Sequence, residues 1–242
     1  MTGSADSQKL GSSDQDTDSL WKSYHNDILL LQPLAHIRHS LAGRVLDVGS
    51  GDGESLWLVS RFGATSVGLD IKPSGGFSIK GTAIELPFKD GSFGVVMCLR
   101  TLQHIREDRA ALREMRRVMK PGGYLVMAVA NKRSFTMISL KSRGEWRGRE
   151  RIPYEWFKPY TEKEIENLLR SEGFDIVESD VVGFAPEILH RRYSSLSKFT
   201  LRVIMEVDKA LRAMPVLGPR GIHVRVIARL EGTTSSDSGR EP

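Results

Sequence analysis

The fold of this chain is decided by the stretch Val45-Leu46-Asp47-Val48-Gly49-Ser50-Gly51-Asp52-Gly53. Its first part completes a short apolar run, Arg44–Val48, which is typical of a buried strand, and its second part is a turn with three glycines. A helix is predicted to follow at once, over Ser55–Phe62. A strand, a glycine turn and a helix in this order indicate the opening unit of a parallel α/β sheet.

The chain on both sides of this unit continues the alternation of strands and helices. Further strands are predicted over Ser66–Ile71, Phe77–Gly81, Ser92–Leu99, Tyr124–Ala130, Phe174–Asp180 and Ile222–Leu230. Helices are predicted over Leu20–Leu41, with a break at Pro33, over Arg106–Met119, ended by Pro121, Gly122 and Gly123, and from a capping box at Thr161 and Glu164 to Gly173. In the last strand, polar His223 and Arg225 alternate with apolar residues. The pattern predicts a doubly wound α/β sheet.

The composition of the 242 residues excludes several classes of protein. With 40% hydrophobic residues the chain can bury a large core, which excludes wholesale disorder, and the single cysteine, Cys98, has no partner for an intramolecular disulfide. No apolar stretch approaches the roughly 20 residues of a membrane helix. The net charge of +5 is too small to name a partner. From the single cysteine and the short apolar stretches we expect a cytoplasmic protein.

The two ends of the chain differ from its middle in composition. Residues 1–19 are rich in Ser, Asp and Gly and have no apolar core, so they predict a disordered leader and not a secretory signal. Residues 20–230 are predicted to form a single domain, and residues 231–242 to form a disordered tail.

The glycine turn predicts a bound ligand, because backbone N–H groups and a helix dipole converge there. Glu54 stands where a dinucleotide fingerprint needs its third glycine, and no Lys-Ser or Lys-Thr pair follows, as a phosphate-binding loop requires. The Asp47 carboxylate repels a pyrophosphate and favours a cation. At the end of the next strand, Asp70 is placed to accept both hydroxyls of a ribose. Together the two acids predict a nucleoside that carries a positively charged amino-acid portion.

Several motifs resemble those of one known family, in the same order. Val45–Gly53 resembles motif I of the class I S-adenosylmethionine (SAM)-dependent methyltransferases, and Gly68-Leu69-Asp70 resembles their ribose-binding motif. Glu85-Leu86-Pro87-Phe88 is similar to the stretch before their fourth strand. Leu102-Gln103-His104-Ile105 and Arg117-Val118-Met119-Lys120-Pro121-Gly122-Gly123 resemble the later motifs of the subgroup called methyltransferase type 11. The resemblance is strong over residues 43–130.

The resemblance implies a Rossmann-like sheet of seven strands in the order 3-2-1-4-5-7-6, with the last strand antiparallel, and SAM bound at the carboxyl ends of the strands. It also implies roles for single residues. Asp47 is expected to face the methionine amino group, Asp70 to hold the ribose and Ile71 to pack on adenine. The other residues expected at the cofactor are Gly49, Gly51, Gly53, Thr82, Ala83 and Leu99.

The sequence departs from the family pattern in three places. Thr82 stands where members often have an acid that reads the adenine amino group, Gly94 replaces a frequent Asp, and the connection from Asp70 to Gly81 is short. These departures leave a second function open, that of a non-catalytic SAM-binding partner subunit.

One residue is a candidate for catalysis. Methyl transfer from a sulfonium chiefly needs an acceptor held in line and shielded from water, so a general base is optional. His104, directly after the fourth strand, is placed to act as that base, and an orienting or structural role is the alternative. The histidines show no metal-ligand spacing, so we expect catalysis without a metal.

Two segments outside the common core are expected to choose the methyl acceptor. Residues 132–160 and 186–219 are predicted to form helical lids over a small molecule that is apolar or acidic and that accepts the methyl group of SAM at an oxygen, nitrogen or carbon atom. Arg147 and Arg149 lie among aromatic residues and leave open an RNA acceptor. The predicted helix over residues 198–212, with cations beside an apolar face, leaves open contact with a membrane surface. Tyr24 and His25 are further candidates for closing over the cofactor.

Overall fold

Seven strands form one sheet in the described part of the chain. The computed structural model describes residues 32–74, 78–142, 156–183, 203, 206–207, 210–211, 213–214 and 216–231. The strands are β1 (Arg44–Val48), β2 (Thr65–Asp70), β3 (Ser78–Lys80), β4 (Phe93–Leu99), β5 (Met119–Ala130), β6 (Phe174–Val182) and β7 (His223–Leu230). Their order is β3-β2-β1-β4-β5-β7-β6, and β7 runs antiparallel to both of its neighbours. The predicted strand order is confirmed.

Helices cover both faces of the sheet. They are α1 (Gln32–His36), α2 (Glu54–Ser60), α3 (Asp108–Val118), α4 (Phe135–Ser142) and α5 (Glu162–Ser171), with 3-10 turns at Arg38–Ala42, Leu102–His104 and Gly218–Arg220. The predicted capping box opens α5, because Thr161 Oγ1 accepts from the Glu164 backbone at 3.2 Å and the Glu164 carboxylate accepts from the Thr161 backbone at 2.8 Å. In the part of the chain described, no helix is long and apolar enough to cross a membrane.

The core divides into two layers, one on each face of the sheet. Val45 and Leu46 are neighbours in β1 and are both fully buried, yet Val45 belongs to the layer under α1 and Leu46 to the layer under α3. Cys98 of β4 is also fully buried, and burial, followed by the nearby charge of Asp47, raises the pKa of its thiol to about 12. With both faces covered, the ends of the strands are the places where a ligand can reach the sheet.

The start of β5 differs from the prediction. Helix α3 ends at Val118, and Met119 is already extended and paired with Phe93 of β4. The expectation that residues 121–123 separate the helix from a strand beginning at Tyr124 is therefore wrong. Helical backbone is disfavoured in the residue before a proline, so α3 ends before Pro121. The Pro121-Gly122-Gly123 run lies inside β5, where the register of the pairing between β4 and β5 shifts.

Two polar residues of strand β7 are buried. His223 and Arg225 alternate with apolar residues as predicted, but both are buried, and Arg225 is only 4% exposed. The Arg225 guanidinium donates to both carboxylate oxygens of Asp180, at 2.8 and 2.6 Å, and to Glu178 at 3.3 Å. Because β7 lies between β5 and β6, its polar face meets these acids of β6 and not open solvent.

Several predicted features lie outside the described residues. They are the leader and tail, Tyr24 and His25, Arg147 and Arg149, and most of residues 186–219. The predicted domain limits stay predictions.

We expect Arg225→Lys to lower the free energy of unfolding by about 1–3 kcal/mol, because an ammonium group cannot reproduce the paired donors of the guanidinium fork in a buried site. Urea unfolding followed by circular dichroism measures the change. Arg229→Lys on the same strand is the matched control, since Arg229 is exposed, and it should change stability by less than about 0.5 kcal/mol. Equal effects of the two variants would show that the Arg225 cluster adds no stability.

Candidate active site

The glycine turn after β1 is left-handed at three positions. Gly49, Gly51 and Gly53 have φ angles of 80°, 54° and 81°. A Cβ at Gly49 would collide with the side chain of Thr101, whereas one at Gly51 would meet no atom within 4 Å. The turn is therefore closed on the side of β4 and open above Gly51, where a ligand can approach the backbone.

Asp47, in β1 just before this turn, is a buried carboxylate that is 2% exposed. Its Oδ2 accepts a hydrogen bond from the Ser55 hydroxyl, in the first turn of α2. Its Oδ1 is also buried and has no hydrogen-bond partner among the residues that the structure describes. Burial raises the pKa of Asp47 to about 6, against the lowering effect of Ser55, and the charge of Asp70 raises it further. At neutral pH the site thus holds a buried anion, and no residue in the described ranges donates to one of its oxygens.

Asp70, at the end of β2, joins the same edge of the sheet. Its Oδ2 accepts from the Gly51 backbone at 3.0 Å, and its Oδ1 accepts from the Lys72 backbone at 2.7 Å. The Gly49 backbone in turn donates to the Leu69 carbonyl at 2.7 Å. These bonds hold the carboxylate against the glycine turn, and each of its oxygens keeps a second lone pair that can accept from a ligand hydroxyl.

The residues predicted to contact adenine lie where β2 and β3 end. Ile71, directly after β2, is 56% exposed, so a large apolar surface faces outward beside Asp70. The Gly81 backbone donates to the Asp70 carbonyl at 3.0 Å, which brings the following Thr82 and the buried Ala83 to this edge.

Arg117 of α3 fixes the loop that follows Thr82. Its guanidinium donates to the carbonyls of Phe88 at 2.7 Å and Leu86 at 2.8 Å. Glu114, which also binds Arg117, accepts from the Leu86 backbone at 2.7 Å. Two side chains one helical turn apart thus satisfy the backbone of a loop that has no regular structure of its own.

His104 ends the 3-10 turn after β4. Its ring hydrogen-bonds to the backbone of Trp156, and the ring centroid lies 5.3 Å from that of Phe157. Burial lowers the pKa of His104 below its usual value of 6.5, and the bond to Trp156 only partly offsets this. The imidazole is therefore neutral at pH 7. A neutral imidazole keeps one ring nitrogen in the acceptor form that a general base needs.

Sequence reasoning missed two residues that build the site. Ser55 was not connected with Asp47, although the first turn of a helix after a short glycine turn must face the end of the preceding strand. Thr101 links the end of β4 to the turn, since its hydroxyl reaches the carbonyls of Leu99 at 3.1 Å and Gly49 at 3.4 Å. No sequence signal indicated Thr101, because its role depends on the pairing of β1 with β4.

The predicted cofactor residues and His104 all lie at the carboxyl ends of β1, β2, β3 and β4 or in the loops after them. Their roles toward a ligand stay predictions.

Comparisons with known proteins show to which family this architecture belongs. A family model described as a methyltransferase domain matches residues 24–179. A ubiquinone biosynthesis O-methyltransferase from Cereibacter sphaeroides is 29% identical over 159 residues, which are 59% of this chain and 64% of the relative. The chain thus spans less than two thirds of the length of this relative.

Solved structures share the fold at lower identity. A SAM-dependent methyltransferase from Thermotoga maritima, described as a possible histamine N-methyltransferase, is 19% identical, with a TM-score of 0.55 over 88% of this chain and 99% of that chain. The [4+2]-cyclase SpnF is 20% identical, with a TM-score of 0.53 over 90% of this chain and 81% of that chain. Since a cyclase and a methyltransferase share this fold, the reaction must be argued from the site.

We expect Gly49→Ala to destabilise the protein more than Gly63→Ala. Both glycines have positive φ angles, 80° and 83°, so both variants carry the strain of a left-handed alanine, about 1 kcal/mol. At Gly63 the new methyl group enters open space, but at Gly49 it forces Thr101 to move, which costs a further ~1–3 kcal/mol. Urea unfolding of the two variants measures the difference, and equal losses would contradict the tight contact between the turn and Thr101.

Proposed function

This chain belongs to the SAM-dependent methyltransferases, and on that premise we propose that it transfers the methyl group of SAM to a hydroxyl oxygen of a small-molecule acceptor. The choice of oxygen is carried by one observation, the neutral and half-buried His104 at the end of β4. A hydroxyl must lose its proton as it is methylated, and a histidine that is neutral at pH 7 is suited to take it. The name of the relative from Cereibacter sphaeroides, an O-methyltransferase, agrees with this choice.

The residues at the glycine turn fit SAM. Oxygen Oδ1 of Asp47, to which no described residue donates, suits the ammonium group of a methionine portion, because a buried carboxylate is stabilised by a cation. We assign the ribose to Asp70, which still has acceptor capacity on both oxygens, and the adenine to exposed Ile71 with Thr82 and Ala83. The open backbone at Gly51 leaves room for the ligand between these groups.

The division of chemical work follows from this arrangement. SAM, when bound, supplies a methyl group already activated by a positive sulfur. Gly49 and Thr101 hold the turn in one conformation, so that Asp47 and Asp70 keep a fixed distance from each other. His104 receives the acceptor's proton on the ring nitrogen that carries no proton in the neutral imidazole. Phe157 covers one side of the imidazole and limits access of water to it.

We expect Asp47→Asn to weaken SAM binding at pH 7.5 by about 10–100-fold, the effect of losing a charge-assisted hydrogen bond. The same variant should be as stable as the wild type or more stable, because it removes a buried charge. Titration calorimetry and thermal unfolding measure the two effects. Asp52→Asn is the matched control, since Asp52 lies in the same turn but is exposed, and it should leave SAM affinity nearly unchanged.

The pH dependence tests the same assignment. The folded-state pKa of Asp47 is raised to about 6 from 3.8, so the carboxylate is ionised above pH 6 and becomes protonated below it. Wild-type affinity for SAM should therefore fall as the pH is lowered through 6, while the affinity of Asp47→Asn stays flat. The stability advantage of the variant should shrink over the same range, because the wild-type protein no longer carries the buried charge. Unchanged SAM binding in Asp47→Asn would disprove the assignment.

We expect His104→Gln to lower the rate of methyl transfer by about 10²–10⁴-fold with little change in SAM affinity. Acceptors are obtained by incubating the protein with methyl-labelled SAM and cell extract that has been fractionated into small molecules and RNA. Below pH 6.5 the wild-type rate of methyl transfer should rise with pH, and the rate of the variant should not.

His39→Gln, at an exposed histidine of the Arg38–Ala42 turn, is the control and should keep the wild-type rate and pH profile. A loss of stability in His104→Gln without a change in the pH profile would indicate a structural role. Labelled RNA without labelled small molecules would instead support the alternative acceptor.

A further inference from the structure

A second concave surface is lined by Phe157, the residue whose ring contacts His104. Residues 156–160 cross the carboxyl edge of the sheet between the Leu102–His104 turn and the end of β5. A cleft of about 930 Å³ opens between this segment, the start of α3 and one face of α5. Its volume lies within the range of small-molecule sites. The cleft does not include the glycine turn, so it is distinct from the place assigned to SAM.

The wall of the cleft is firmly held. The Lys158 backbone donates to the Gln103 carbonyl at 2.8 Å, and the Tyr160 backbone donates to the Ala130 carbonyl at 2.9 Å. Asp108, at the start of α3, accepts from the Lys158 ammonium at 2.6 Å and from the Tyr160 hydroxyl at 2.9 Å. Burial opposes ionisation of Asp108, but these bonds outweigh it and keep its pKa below the usual value. The segment is therefore positioned before any ligand arrives.

Aromatic side chains connect the cleft to His104. Phe157 lines the cleft, and its ring is the one that contacts the His104 imidazole. Trp156 also lines the cleft and is 39% exposed, with the Arg106 guanidinium 5.5 Å from its ring centre. Phe157 and Trp156 thus offer a surface on which a flat ring can stack, and one of the two contacts the imidazole.

One cation of the cleft can be released to a ligand. Lys158 is engaged by Asp108, but Lys132 is paired with Glu164 at 2.7 Å in a bridge whose side chains are 54% and 48% exposed. An exposed pair of this kind is worth little, so Lys132 can turn to another anion at small cost. Glu164 keeps a second role when Lys132 leaves, because its other carboxylate oxygen caps α5 through the Thr161 backbone.

We infer that the methyl acceptor is an aromatic hydroxy acid, with its ring on Trp156 and Phe157, its carboxylate on Lys132 and its hydroxyl toward His104. This inference rests on the proposed function. In the reaction the acceptor oxygen forms a bond to the methyl carbon, the bond between that carbon and sulfur breaks, and the electron pair stays on sulfur. The hydroxyl proton passes to His104, so charge and atoms balance.

The test uses 3,4-dihydroxybenzoate and its methyl ester, which share the ring and both hydroxyls but differ in the negative charge. Calorimetry on the full chain, in the presence of demethylated SAM, measures the affinity of each probe. We expect the acid to bind about tenfold more tightly than the ester. Lys132→Gln should remove this preference and Lys132→Arg should keep it. Trp156→Ala should lower the affinity for both probes. The control Lys120→Gln, at an exposed lysine beside the junction of α3 and β5, should behave as the wild type.

SAM binding, measured on the same samples, separates the two proposals. If SAM binds but neither probe does, or if the acid keeps its preference in Lys132→Gln, the acceptor assignment is wrong and the methyltransferase proposal stands. If SAM does not bind to the wild type, the proposed function fails and the acceptor assignment fails with it. Catalysis gives a second readout, since Lys132→Gln should raise KM for the acid with little change in kcat.

Discussion

The parallel pairing of β1 with β2 and β4 is the constraint on which the candidate site depends. Asp47 is paired with Gly68 on one side and with Met97 on the other, so the three strands end at one edge. That edge receives the glycine turn, Asp70 and the 3-10 turn of His104. Groups from distant parts of the sequence thereby meet without any one loop having to be long. Because helices cover both faces of the sheet, this edge is also where the backbone of the turn can be approached.

One group of the candidate site lowers the stability of the protein. Asp47 is ionised at neutral pH although it is buried and close to Asp70, and its oxygen Oδ1 has no donor in the part of the chain that the structure describes. Such an arrangement destabilises the free protein and is relieved when a cation binds. The surrounding groups do the opposite: Ser55 ties Asp47 to α2, Thr101 ties the glycine turn to the end of β4, and Arg117 ties the loop after Thr82 to α3. A stable frame around a destabilised carboxylate is the usual balance at a binding site.

The fold and part of the site could be predicted from the sequence because they follow from local pattern. Strand, turn and helix signals located nearly every element, and the order of the motifs led to the strand order through the resemblance. Contacts between distant side chains left no such pattern, which is why the hydroxyls of Ser55 and Thr101 were missed. The alternation in β7 located that strand but did not reveal that its Arg225 is buried, because burial depends on which acids the neighbouring strand presents. The early start of β5 was missed for a similar reason, since its first pair forms with Phe93 across the sheet.

The position of the single cysteine has a practical consequence for spectroscopy. Cys98 is enclosed in β4 and its thiol stays protonated far above neutral pH, so it reacts slowly with maleimides and other reagents that require a thiolate. A cysteine introduced at an exposed position can therefore carry a fluorophore or a spin label in an otherwise natural chain. Pairs of such labels, one on α5 and one on residues 1–31 or 143–155, would report the distance between the two labelled positions as ligands are added.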